Sequence, residues 1–284
     1  MPNKNSIYLT PPAKVNLFLH IVGRNKDTYH ELQSLVYFAD FGDEITITEA
    51  EVFSFSSNNK SIQTDDNIIV KAAQSLSKEL NQPLYCSITL NKRIPIGAGL
   101  GGGSSDAAAV IKGLLEFWDI SEPPTNLESI LLSLGADVPS CYHGRACYFE
   151  NIGEIITPIQ NAPDLYGVLV NPHIACATKD IFSKIKPPFK NSITLPAQFD
   201  SSADLIDFLK EQNNDLTPAA CQTIPEIQNV LDYLSMQDEN LLTRMSGSGA
   251  TCFSLFETKE KAKHCALSIQ KENPQWWVQA VTLK

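Results

Sequence analysis

Apolar and polar positions along the chain fall into two textures. Period-two alternation or short apolar runs predict strands at Val15–Val22, Glu44–Glu49, Cys86–Leu90, Ala146–Glu150, Tyr166–Asn171, Cys252–Phe256 and Trp277–Leu283. Helical spacing predicts helices at Asn67–Leu80, Asp106–Trp118, Thr125–Leu134, Ala203–Glu211, Pro225–Leu234 and Lys259–Lys271. Val110, Ile111, Leu114, Leu115 and Trp118 give the second of these one buried face. Thr125 with Glu128 matches a capping box, and Gly135 suits a C-terminal cap. Ile45–Thr48 and Val52–Phe55 read as a hairpin. Strands and helices mix without a regular βαβ rhythm, which predicts an α+β fold. Gly153, Pro158 and Pro163 cluster within Asn151–Pro163 and place a boundary there, giving expected domains 1–156 and 157–284. The Pro-rich stretch Lys186–Ser202 reads as a surface connection.

Composition narrows the function classes. A chain of 284 residues with 43% hydrophobic residues buries a sizeable core. It has no apolar run long enough to span a membrane and no apolar leader, so a cytoplasmic protein is expected. Its 7 cysteines form no CxxC pair, so neither zinc nor a disulfide framework is expected. A formal net charge of −10 argues against nucleic acid or an anionic membrane as partner. An anionic ligand must therefore be met by local donors.

One run supplies them. Pro95-Ile-Gly-Ala-Gly-Leu-Gly-Gly-Gly-Ser-Ser-Asp-Ala-Ala108 holds Gly97, Gly99, Gly101, Gly102 and Gly103 of the chain's 14 glycines, between a predicted strand and a predicted helix. Glycines let successive N–H groups turn toward one point, and a helix start adds free donors and positive dipole. Both favour a phosphate. Ser104 and Ser105 offer hydroxyls to phosphate oxygens, or one of them caps the helix. Gly97-x-Gly99-x-x-Gly102 also satisfies the dinucleotide pattern, but that pattern belongs after a first strand and needs an acidic residue closing a second one. Here Glu116 falls inside the helix. Lys92 and Arg93 stand just ahead of the run, as phosphate-steering groups or as solvated strand-end cations.

Further candidates lie on the first strand. Val15, Leu17, Leu19 and Ile21 are apolar, so Lys14, Asn16, Phe18 and His20 share the opposite face. Spacing alone leaves that face either solvent-facing or ligand-facing. Asp137, between Gly135 and Pro139, reads as a helix N-cap or as a catalytic carboxylate.

The full glycine run resembles the ATP-binding motif of the GHMP kinases. Pro11-Pro-Ala-Lys-Val-Asn-Leu17, Tyr29-His-Glu-Leu32, Leu134-Gly-Ala-Asp-Val-Pro139 and Met245-Ser-Gly-Ser-Gly-Ala250 resemble further motifs of that superfamily, in particular of its cytidyl-substrate kinases. The resemblance spans nearly the whole chain. It implies a two-domain fold, with an N-terminal domain like the second domain of ribosomal protein S5. The C-terminal domain would be ferredoxin-like and contribute to the substrate cleft. It implies that Pro95–Ser105 (Pro95, Ile96, Gly97, Ala98, Gly99, Leu100, Gly101, Gly102, Gly103, Ser104, Ser105) binds ATP, accompanied by Mg²⁺, for which the sequence shows no dedicated carboxylate cluster. It implies catalysis by Lys14 and Asp137, and substrate contacts from Asn16 and Thr178. Tyr29, His30 and Phe182 would hold a cytosine, and Gly247, Ser248 and Gly249 would form a C-terminal glycine loop. The reaction implied is phosphorylation of the 2-hydroxyl of a cytidyl diphosphate methylerythritol in the non-mevalonate isoprenoid pathway, by a monomer or weak homodimer. Thr28 stands where the family usually has glycine. The alternatives are a mevalonate or homoserine specificity, a dinucleotide-binding oxidoreductase, or a non-catalytic binding relative.

Overall fold

The computed structural model describes residues 6–26, 29–62 and 67–284. In chain order the elements begin β1 (Ile7–Leu9), β2 (Pro12–Arg24), β3 (His30–Gly42), β4 (Glu44–Glu49), β5 (Ser54–Ser57), α1 (Ile68–Leu80) and β6 (Cys86–Asn91). There follow α2 (Gly102–Phe117), α3 (Leu127–Leu134), α4 (Val138–His143), β7 (Cys147–Asn151), β8 (Ile155–Pro158) and β9 (Leu165–Asn171). The last are α5 (Thr178–Phe182), α6 (Ser202–Lys210), α7 (Thr217–Thr223), α8 (Glu226–Ser235), β10 (Leu242–Met245), β11 (Cys252–Phe256), α9 (Lys259–Glu272) and β12 (Trp277–Leu283). The α+β class is the one the pattern predicts. By compactness the chain divides into two units, each discontinuous in sequence. The first takes the chain up to Ala13, Phe41–Ile94 and Gly101–Gly144; the second takes Lys14–Asp40, Pro95–Leu100 and Arg145–Lys284.

In the first unit the described strands form one sheet in the order β1-β4-β6-β5. This corrects the expected hairpin: β4 pairs antiparallel with β6, and β5 pairs with β6 in parallel. β5 therefore runs opposite to β4, as in a hairpin, but one strand position away, and β6 fills the gap between them. One sheet face carries Ile45, Ile47, Ile88 and Leu90, all buried; α2 packs against β1 and β4, and α1 packs against α2. The other is polar and half-solvated, with Ser54 bonded to Ser87 at 2.9 Å. α2 comes so close that a Cβ on Gly113 would sit 2.5 Å from the Leu9 side-chain tip and 2.8 Å from that of Ile47, which would have to shift to admit it. The sheet is mixed, not the parallel sheet of a dinucleotide-binding fold.

Two local expectations change. α2 starts at Gly102, earlier than Asp106, and its N-cap is Gly101 in the left-handed region, so neither serine caps it. α3 has Asn126 as N-cap without a side-chain bond, so Thr125 forms no capping box; Gly135 does end the helix.

In the second unit β10-β11-β9-β12-β3-β7-β8 run side by side, and β2 pairs with β3. β8 lies within Asn151–Pro163 and pairs with β7. The core joins Leu19 and Ile21 of β2 to Val168 and Val170 of β9, Ile227 and Val230 of α8, and Ile269 of α9. β2 is buried on both faces: Lys14, Asn16 and His20 are each 3% exposed and Phe18 is 0%. The solvent-facing reading of that strand is therefore excluded. Among the described residues no helix is long and apolar enough to cross a membrane.

Candidate functional site

Within the second unit, segments far apart in sequence are tied together around the first half of the glycine run. The Lys14 N–H donates to the Leu100 carbonyl at 2.8 Å. The Thr251 N–H donates to Ala98 O at 3.1 Å, and the Cys176 N–H to Gly97 O at 2.9 Å. The Ser246 hydroxyl donates to Gly99 O at 3.0 Å and accepts the Asn16 N–H at 3.1 Å. A Cβ on Gly99 (φ +72°) would lie 2.5 Å from Ser246 O and 2.7 Å from Gly249 O, so this crossing requires glycine. Pro95–Leu100, the start of β2 and the Gly247-Ser248-Gly249 turn thus form one packed constellation. That turn also joins the antiparallel strands β10 and β11, so it is a hairpin turn as well.

The side chains here are oriented by named bonds. Asn16 Nδ2 donates to Ser34 Oγ at 2.8 Å, and Ser34 Oγ donates to Phe18 O at 2.5 Å. The amide orientation of Asn16 is therefore fixed, with Oδ1 toward Gly247. The Lys14 ammonium lies over the Phe149 ring at 5.2 Å. The Thr178 and Ser248 hydroxyls are 2.9 Å apart, which joins the start of α5 to the glycine turn. Asn214 holds that turn from behind, donating to Met245 O and Gly247 O at 2.8 Å each. Arg244 is buried and spends its guanidinium on the carbonyls of Leu17, Leu209 and Gln212 at 2.6–2.8 Å; burial pulls its pKa down to about 10. Ser34, Asn214, Ser246 and Arg244 were not among the expected site residues. The sequence signal for Ser34 was weak: it lies beside Gln33 at the start of the largely apolar stretch Leu35–Ala39.

The expected base-binding trio is also in this unit. The His30 and Phe182 rings lie 5.3 Å apart, and Phe189 meets His30 edge-on at 6.0 Å. Tyr29 is 64% exposed, so it is not a core aromatic. Its N–H donates to Asn25 Oδ1 at 2.9 Å, closing the turn between β2 and β3; Thr28 lies outside the described residues. Arg24 Nη2 and His30 Nε2 are 2.9 Å apart. Arginine can only donate, so Nε2 accepts and the ring proton sits on Nδ1. Burial, and then the Arg24 charge, hold His30 below its ordinary pKa, against a bond to the Ile185 backbone.

The first unit holds the rest of the glycine run. Gly102, Gly103, Ser104 and Ser105 form the first turn of α2, whose leading N–H groups have no partner within the helix. Gly101 has no side chain to cap them; the Ser105 N–H donates to Gly101 O at 2.9 Å, and a helix start of this kind suits an anion. Ser104 is half-buried, whereas Ser105 is buried and its hydroxyl donates to Pro12 O at 2.7 Å. Asp137 stands at the N-cap position of α4, yet its side chain makes no capping bond; its carbonyl accepts from Cys141 N and Ser140 Oγ. The capping reading of its carboxylate is thereby removed. Lys92 is not a solvated cation: it is buried between Asp43 and Asp106. Arg93 pairs with Glu44 at 2.8 Å and covers the Phe41 ring. Among the described residues no group of three or more His, Cys, Asp or Glu is placed to hold a metal ion.

Comparison with known proteins points one way. Residues 67–145 match the model of the GHMP kinases N terminal domain, and 200–275 that of GHMP kinases C terminal. A 4-diphosphocytidyl-2-C-methyl-D-erythritol kinase of Paramagnetospirillum magneticum is 38% identical over 276 residues, covering 96% of this chain and 97% of the relative. A crystal structure of a 4-(cytidine 5'-diphospho)-2C-methyl-D-erythritol kinase superposes with a TM-score of 0.79 at 28% identity, over 98% of this chain and 99% of that one. Homoserine kinase from Cytophaga hutchinsonii shares the fold, with a TM-score of 0.71 at 18% identity over 99% and 95% of the two chains.

Proposed function

Because the chain belongs to the GHMP kinases, and within them to the 4-diphosphocytidyl-2-C-methyl-D-erythritol kinases, we propose that it transfers the γ-phosphate of ATP to the 2-hydroxyl of 4-diphosphocytidyl-2-C-methyl-D-erythritol. The observation that carries this reading is the constellation of the second unit. There the strand of Lys14 and Asn16, the first half of the glycine run, Thr178 and the Gly247–Gly249 turn are tied by direct hydrogen bonds.

The chemistry follows from what phosphoryl transfer needs: phosphates held in line, developing charge neutralised, and a place for the hydroxyl proton. The glycine run and the first turn of α2 offer backbone donors to the phosphates. The substrate oxygen attacks the γ-phosphorus, the bond to the β-phosphate oxygen breaks, and ADP leaves. The hydroxyl proton passes to the Asp137 carboxylate, and the Lys14 ammonium steadies the attacking oxygen. Asn16, held by Ser34, and Thr178, held by Ser248, position the substrate. Tyr29 and Phe182 stack on the cytosine beside His30. Mg²⁺ would accompany the nucleotide and offset the charge of its phosphates, as suits a cation that seldom has a protein cage. The reaction takes place in the cytoplasm.

Two variants test the roles. Asp137→Asn is expected to fold, bind ATP normally and lose at least 100-fold in kcat. Lys14→Ala is expected to lose activity to a comparable degree. An Asp137→Asn enzyme with more than a tenth of normal turnover would remove the carboxylate from the mechanism.

A further inference from the structure

The buried charges of the first unit lie where they clamp both stems of the glycine run. Asp43 is fully buried; its Oδ1 accepts the N–H groups of Arg93 at 2.6 Å and Ile94 at 2.8 Å, fixing the chain as it leaves β6 toward Pro95. Its Oδ2 takes a short bond from the Lys92 ammonium. Lys92 in turn donates to Asp106 Oδ2 at 2.8 Å, on the second turn of α2, where the run ends. The ammonium lies directly against the helix start: a Cβ on Gly102 would sit 2.9 Å from Nζ. One cation therefore joins the residues that enter the run to those that leave it.

We propose that Lys92, with Asp43 and Asp106, is the positioning group for the nucleotide phosphates, fixing the place and the charge of the donor set at the start of α2. This rests on the reading of the run as the ATP site. Two carboxylates around one ammonium would leave a net negative charge beside an anion-binding helix end. The structure moderates that charge. Asp106 is 2% exposed and its Oδ1 has no partner among the described residues. Burial, against the pull of Lys92 and with help from Asp43, pushes its pKa up to about 7. Burial works to lower the Lys92 pKa, but Asp106 and Asp43 outweigh it, so the ammonium stays charged. Arg93 and Glu44, the neighbouring charges, pair with each other.

Steady-state kinetics of Lys92→Met and the double variant Lys92→Met/Asp106→Asn test the inference. Lys92→Met leaves two carboxylates facing each other without their link. The KM for ATP is expected to rise at least tenfold, with kcat at saturating ATP and the KM for the second substrate each within threefold. In the double variant the new amide can donate to Asp43 and restore the link, so the KM for ATP should return to within threefold of wild type. Should Lys92→Met not fold, Asp106→Ala takes its place, with an expected rise of at least threefold in the same constant. An unchanged KM for ATP in a folded variant, or a fall in kcat without a change in KM, overturns the inference. A wild-type enzyme that releases no ADP from ATP would instead overturn the reading of the site.

Discussion

Gly99→Ala puts the packing of the glycine run under direct strain. The native φ is +72°, a region that costs alanine about 1–2 kcal/mol. The new Cβ would stand 2.5 Å from Ser246 O, 2.7 Å from Gly249 O and 2.8 Å from Gly249 N, against 3.4 Å or more in ordinary contact. Something must therefore move by nearly 1 Å. The three atoms met are backbone, and their turn is held by Asn214 from behind and by the Ser246 N–H to Thr251 O. The glycine run is pinned as well, by the bonds to Gly97 O, Ala98 O, Gly99 O and Leu100 O, so relief of the clash shifts the run, the proposed phosphate site, together with the turn. A misplacement of that size costs roughly 100-fold in rate, or about 2.7 kcal/mol. Measured by ADP release, kcat/KM for ATP should fall by about that factor, with a decrease of only a few degrees in melting temperature. A variant within twofold of wild type in kcat/KM, with an unchanged melting temperature, would refute the packing argument.

Other expectations follow from single contacts. Asn214→Ala removes this donor from the buried Met245 carbonyl and the half-buried Gly247 carbonyl and should cost about 1–3 kcal/mol, read by urea unfolding; no change in midpoint would remove its role as a support. Phe182→Ala should raise the KM for the cytidyl substrate about tenfold, the value of roughly one base stack, and leave that for ATP unchanged; a larger effect on ATP would contradict its placement at the base. His20 is buried, and burial, then the Lys190 charge, hold its pKa below the ordinary value against the Asp215 charge and the Asn213 side chain. The fold thus favours the neutral ring, so its contribution is intact above about pH 6.5 and is lost as pH falls below it. Asp106, raised by burial, acts in the opposite sense, so the His20 part is read as the difference from His20→Phe. Wild type should lose more melting temperature than that variant between pH 7.5 and 5.5, and parallel losses would contradict the assignment.

Elements with a one-sided burial pattern were readable in the chain. β4 alternates strictly; α2 was readable from the spacing of its apolar residues, although it is buried on every side from Ser105 to Ile111 and not on one face alone. β3 was missed although it is 13 residues long, because Ser34–Ala39 is buried on both faces and has no period-two signal. The start of α2 was hidden by glycines, which have poor helix propensity but supply the donors wanted there. α5 and α7 are too short to show a period. The candidate site divides in the same way. Lys14, Asn16 and the glycine run lie in contiguous motifs. Their supports are non-local: Asn16 meets Ser246 across 230 positions, and Lys92 meets Asp43 across 49. No local pattern records such pairs.

The most direct test of the account is phosphorus NMR of the product formed from ATP and each of three candidate acceptors: 4-diphosphocytidyl-2-C-methyl-D-erythritol, mevalonate and homoserine. The account predicts a new phosphomonoester signal on the methylerythritol 2-position of the cytidyl compound, with ADP released in equal amount. With mevalonate or homoserine, turnover should be at least 100-fold slower. Efficient phosphorylation of either of those, or none of the cytidyl compound, would contradict it.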